Sequence, residues 1–168
     1  MRSIFAAILL LCTAGAAEGR ELANRLGVGY ADQFGLNNTM PGIAARYYPT
    51  SDIGVMGVIG VDTKKDQSQF GFMAKLFKII FKEDNMNFYV GAGVGLVSQQ
   101  STDGTTSQIR NDSGFMADGY FGTEFFFSGL ENLGFAVEAG VGVTSISSQV
   151  RFRTIGDSPF RAGITFYF

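Results

Sequence analysis

Strict two-residue alternation dominates the second half of the chain. Phe88, Val90, Ala92, Val94 and Leu96 alternate with Tyr89, Gly91, Gly93, Gly95 and Val97. The rhythm returns where Phe135, Val137, Ala139, Val141 and Val143 alternate with Ala136, Glu138, Gly140, Gly142 and Thr144. A period of two belongs to a β-strand with two unlike faces. The glycines in "VGAGVGL" invite comparison with a phosphate-binding loop. The dinucleotide fingerprint would need a third glycine where Leu96 stands, or where Ser145 stands in the second copy. No G-x-x-x-x-G-K-[ST] occurs either. The glycines therefore belong to strand faces.

One face of each strand is bulky and apolar. The other is mostly glycine and alanine with isolated charges, too poor in polar side chains for a solvated exterior. The bulky face suits lipid, and the small and charged face suits the inside of a barrel, where every backbone group is paired. The fold class expected is all-β, a closed antiparallel up-and-down transmembrane β-barrel of about eight strands. Strands are expected near 25–33, 42–49, 52–62, 68–81, 86–98, 113–127, 133–147 and 158–168. No segment offers the ~20 consecutive apolar residues of a membrane-spanning helix. Lumen glycines would leave volume for large or charged side chains of other strands; the plainer reading is that they only let strands bend.

The connections "PTSD", "KEDN" and "SGLEN" are short turns, whereas 34–41, 63–67, 102–112 and 149–157 read as mostly longer polar loops. Short turns inside and longer loops outside is the asymmetry of outer-membrane barrels. Tyr47, Tyr48, Phe81, Phe88, Tyr89, Phe125, Phe127, Phe135, Phe166 and Phe168 fall near the short-turn ends, as a headgroup-level girdle would. In "KLFKIIFK", Lys75 points inward and Lys78 toward lipid. A bulge near Leu76, or snorkelling of Lys78, is expected to accommodate the second lysine.

Residues 1–17 read as a cleaved secretory signal peptide, leaving 18–168 as the barrel domain. Arg2 is the charged end, Ile4 to Leu11 the apolar core, and Ala14-Gly15-Ala16 the cleavage site, with Gly15-Ala16-Ala17 one step later. Cys12 falls within the leader, and Leu11 before it is too large for a lipoprotein site. The mature chain would then lack cysteine and disulfides. With no histidine either, a His/Cys metal site is excluded and no cofactor is expected. The net charge of −2 and scattered basic residues argue against a nucleic-acid partner.

The terminal "RAGITFYF" resembles the insertion signal of bacterial outer-membrane barrels, with Arg161, Gly163, Phe166 and Phe168 at its defined positions. With the leader at the other end, the chain resembles the small eight-stranded OmpA/OmpX-type barrels, without a peptidoglycan-binding domain after Phe168. The resemblance implies a bacterial outer-membrane location, contact with outer-membrane lipid, delivery by the barrel-assembly machinery, and a monomer. Barrel enzymes of the outer membrane imply a catalytic histidine, which this chain lacks, so no enzyme is expected. Asp118, Glu124 and Glu138 are the remaining acid/base candidates. The reading preferred for the carboxylates is a lumen charge network of Arg46, Lys75, Glu124, Glu138 and Arg161, because buried charges need partners. Arg161 is expected to reach Glu138 or Glu124. Asp103, Asp112 and Asp157 lack the spacing of a Ca²⁺ site. The expected function is a structural or surface-interaction barrel whose polar loops could bind an extracellular ligand. The alternative is a small pore or a hydrophobe-uptake barrel of the OmpW kind.

Overall fold

The computed structural model describes residues 21–35, 39–64, 68–102, 109–147, 149–154 and 161–168. The proposed leader, with Cys12, lies outside the described residues. Nine strands form among them: β1 (Leu26–Gly35), β2 (Thr39–Tyr47), β3 (Ile53–Asp62), β4 (Gln69–Glu83), β5 (Met86–Thr102), β6 (Ile109–Phe126), β7 (Leu133–Ile146), β8 (Gln149–Thr154) and β9 (Arg161–Tyr167). Each wall strand pairs antiparallel with the next, and β9 pairs with both β7 and β1, which closes the barrel. β8 and β9 lie end to end along β7, so nine segments make eight wall positions. Phe168 N–H donates to Leu26 C=O at 3.0 Å, extending the closing seam to the last residue.

The segment 149–157, expected as a loop, instead contributes β8. Ser147, with φ of 48°, supplies the left-handed turn that folds β8 back on β7. Two other expected loops are strand wherever their residues are described. β1 reaches Gly35 and β2 starts at Thr39, leaving 36–38 between them. β5 and β6 run for 17 and 18 residues, beyond the 9–11 that ~25 Å of hydrocarbon requires, leaving 103–108 between them. The loop end is thus marked more by long hairpins than by long loops. The physical reason is that cross-strand pairing satisfies the backbone of polar residues as well as it does apolar ones.

The outward row of β5 and β6 changes character where Leu96 pairs with Phe115 and the next outward pair is Ser98 with Ser113. Below that border the wall presents Val28, Ile43, Ile59, Leu76, Val94, Phe121 and Ile164 to the exterior. Of the expected girdle, Tyr47, Phe81, Phe125, Phe127, Phe166 and Phe168 are exposed on the outer face. Tyr48 and Tyr89 are not: both are buried in the lumen, with hydroxyls bonded to carboxylates. Strand β4 alternates without interruption past Leu76, and its register shift lies between Ile79 and Phe81. The bulge is therefore nearer the turn end than expected. Lys75 points inward and Lys78 outward with no break between them. A second shift, at Asp32/Phe34, turns consecutive residues Gln33 and Phe34 both into the lumen.

Candidate functional site

Inward positions of eight strands converge on a lumen that must be filled by side chains. Register decides which side chains meet. Tyr120 on β6 lies between Gly91 and Gly140 on its two neighbours, and Asp118 between Gly93 and Gly142. Phe77 lies between Gly54 and Gly91. A Cβ on Gly91 would sit 2.6 Å from both the Tyr120 ring and the Leu76 carbonyl oxygen. One on Gly93 would sit 2.7 Å from the Asp118 carboxylate. On Gly122 it would meet the Tyr89 ring at 2.8 Å, and on Gly134 the Glu124 carboxylate at 2.5 Å. The period-two glycines thus form one colour of a checkerboard, and rings and charged groups form the other.

Three acids and three bases occupy that second colour, all buried: Arg46, Lys75 and Arg161 with Asp118, Glu124 and Glu138. Nearest the turn end, Arg46 Nη1 lies 2.9 Å from Glu124 Oε1. Glu124 also accepts from the hydroxyls of Tyr48 at 2.9 Å and Tyr167 at 2.6 Å. Higher up, Glu138 pairs with Lys75 and accepts from the Tyr89 hydroxyl at 3.0 Å. The second nitrogen of Arg46 stands 3.8 Å from Glu138, which links the two levels. Lys75 also donates to the Gln33 side-chain oxygen at 3.1 Å, while the Gln33 amide donates to Asp118 at 3.5 Å. Asp118 in turn pairs with Arg161 at 2.7 Å.

The five residues predicted for the network all face the lumen, but the pairing differs from the one expected. Arg161 is the register partner of Glu138, yet its guanidinium reaches past β7 to Asp118 on β6. Glu138 is already engaged by Lys75 and Tyr89, and Gly142 leaves the path to Asp118 open. Sequence reasoning had weighed Asp118 only as an acid/base candidate. It missed the three tyrosines and Gln33 as donors. Alternation places Tyr89 on the inner face, and that is the signal available: a phenol buried there needs an acceptor. Aromatic faces shield the cations too. The Arg46 guanidinium stands 4.8 Å from the Phe77 ring centre, and Lys75 Nζ stands 3.9 Å from that of Tyr120.

Chemically this arrangement is a closed set of opposite charges. A carboxylate serving as a general base needs access to a reacting group. Here each of the three is held by a cation at the packed centre of the barrel. A void beside Arg46, Glu138 and Arg161 measures about 10 Å³, about the space of a single water. Of the aspartates considered for Ca²⁺, Asp112 accepts a hydrogen bond from Ser147. Asp103 and Asp157 lie outside the described residues. Of the residues expected to form an assembly signal, Arg161 and Gly163 lie on the inner face of β9 and Phe166 on its outer face, and Phe168, just after the strand, is exposed.

No known protein-family profile matches the chain, and no curated protein matches it in sequence. Among solved structures, it is similar to the N-terminal β-barrel domain of Pseudomonas aeruginosa OprF, with a TM-score of 0.63 and 14% sequence identity. The match covers 87% of this chain and 98% of that domain. The chain shares with that domain the fold of a closed, eight-stranded, up-and-down antiparallel β-barrel.

Proposed function

We propose that the protein is an integral barrel of the bacterial outer membrane with a structural and surface-presenting role. In this reading the leader directs export, and the terminal "RAGITFYF" is read by the barrel-assembly machinery. The short turns face the periplasm, and the β5–β6 hairpin projects outward as the place for an extracellular partner. The barrel works as a monomer in lipid, without cofactor, nucleic acid or enzymatic turnover. The observation that carries the reading is the filled lumen. Arg46–Glu124, Lys75–Glu138 and Arg161–Asp118 neutralise one another across it, and Phe77, Tyr89 and Tyr120 close the space between them. An eight-stranded barrel packed in this way supports a membrane wall and rigidly mounted loops rather than a water path.

Single-channel recording in planar bilayers tests it. The purified protein is expected to give no stable conductance. A reproducible unitary conductance would overturn the structural role in favour of a small pore.

A further inference from the structure

The outer wall carries a groove that the structural role does not use. Cross-strand register sets Ala45, Gly57 and Ala74 side by side on the exteriors of β2, β3 and β4. Tyr47, Val55 and Leu76 form a taller row on the turn-end side, and Ile43, Ile59 and Phe72 another on the loop-end side. Against the turn-end row lies an apolar trench of about 520 Å³, floored by Ala45, Gly57 and Ala74 and continuing over Ala92 beside Val94. A Cβ on Gly57 would meet nothing within 4 Å, so the trench floor is open. The volume falls in the ~300–1,000 Å³ range of small-molecule sites. The trench lies obliquely to the membrane normal, because barrel strands tilt by ~35–45°.

One outward pair nearer the turn end than the lining residues Leu76 and Ala92 stands Lys78. Lys78 pairs with Val90, which makes Ala92 its diagonal neighbour at about 7 Å between Cα atoms. Lys78 is exposed on the outer face between the apolar Leu76 and Ile80. The nearby Asp52 is held by Lys82 at 3.3 Å. A cation snorkelling from an apolar wall toward the headgroup level, above a chain-sized groove, selects an amphiphile with a negative head. We propose that this groove binds one anionic glycerophospholipid of the periplasmic leaflet, with an acyl chain over Gly57 and Ala74 and its phosphate on Lys78. A second copy of the chain fits less well. A two-fold interface at this patch is self-complementary and would bring two like-charged Lys78 side chains toward each other.

The inference rests on the proposed outer-membrane placement, which fractionation of the wild-type protein reports separately. If the protein fractionates elsewhere, that placement fails, whatever lipid it retains in micelles. The test for the groove is native mass spectrometry of the protein in detergent micelles, titrated with phosphatidylglycerol or with phosphatidylethanolamine of the same acyl chains. One phosphatidylglycerol should be retained with a preference of about fivefold, the factor that a single lysine supplies toward an anionic lipid. Lys78→Gln should erase the preference. Gly57→Leu, whose side chain enters open space, should lower retention of both lipids, and Ala74→Leu is the second filling variant. Heat-modifiable mobility checks that each variant is a folded barrel. Equal retention of the two lipids, unchanged by Lys78→Gln, would overturn the proposal. So would a dimer that Gly57→Leu dissolves.

Discussion

Arg161 shows how a buried charge chooses among acceptors. Its register partner is Glu138, but Lys75 and the Tyr89 hydroxyl already engage that carboxylate, and the guanidinium pairs with Asp118 at 2.7 Å. Removing one member of a buried pair strands the other and costs about 3–5 kcal/mol. Arg161→Met should therefore lower unfolding stability in micelles by that order, and adding Asp118→Asn should restore part of it. Glu138→Gln in the same background should show clearly weaker coupling, and a double-mutant cycle from urea titrations separates the two. Stronger coupling to Glu138 would mean that the lumen pairs are drawn wrongly. Glycines can be tested at the same scale. Gly91→Ala places a methyl 2.6 Å from the backbone oxygen of Leu76, which cannot swing aside, whereas the Gly57 position is open. Gly91→Ala should destabilise by about 1–3 kcal/mol, as overpacking does. Gly57→Ala should stay within about 0.5 kcal/mol of the parent, as surface changes do. Equal effects would reduce the lumen glycines to strand punctuation.

Among the elements, β9 is where closure happens. It is a short strand of 7 residues, yet it joins β7 on one side and β1 on the other. Phe166 sits in register with Val28 and Leu133 on the outer wall, and Phe168 donates its backbone N–H to Leu26. A free edge in hydrocarbon leaves unpaired backbone groups, each costing several kcal/mol. Replacing Phe168 with a charged residue should reduce assembled barrel much more than the same replacement at Ser113, which lies at the polar border of β6. Heat-modifiable protein in the outer-membrane fraction measures this. Equal tolerance at both positions would make the terminal motif incidental. The β5–β6 hairpin differs in kind: its extension past Ser98 and Ser113 is polar strand, held up by cross-strand pairing.

For the whole molecule, the apolar material is inverted relative to a water-soluble barrel. Large side chains such as Val94, Leu96, Phe121 and Phe168 are exposed, while among the described residues three cations and three carboxylates are buried together. Such a molecule is stable in lipid or detergent and aggregates in water. Closed barrels also resist detergent unfolding until heated, since no edge is available from which to unzip. The protein should therefore migrate in two forms on gel electrophoresis, a compact form unheated and a slower form after boiling. It should also sediment with membranes. Recovery as a soluble protein with one mobility would contradict the membrane-barrel architecture.

The alternation of Phe88 to Val97 and of Phe135 to Thr144 by itself determined the strands, their faces and the inversion of polarity. Side-chain period is a local property, and composition tells which face lacks enough polar groups for water. The same logic placed Arg46, Lys75, Glu124, Glu138 and Arg161 inside. It could not say who meets whom, because pairing depends on register and stagger, and these are fixed only when β9 closes on β1. Hence the faces alone point Arg161 to Glu138 or Glu124 rather than to Asp118, and do not single out Gln33 and the tyrosines as donors. Tyr48 was assigned to the girdle because it follows the end of β2. Only the closed lumen, with Glu124 within 2.9 Å of its hydroxyl, turns it inward. The segment 149–154 read as loop because its charges suit solvent; β7 offered it an unpaired edge above the start of β9, and only the tertiary structure supplies that edge.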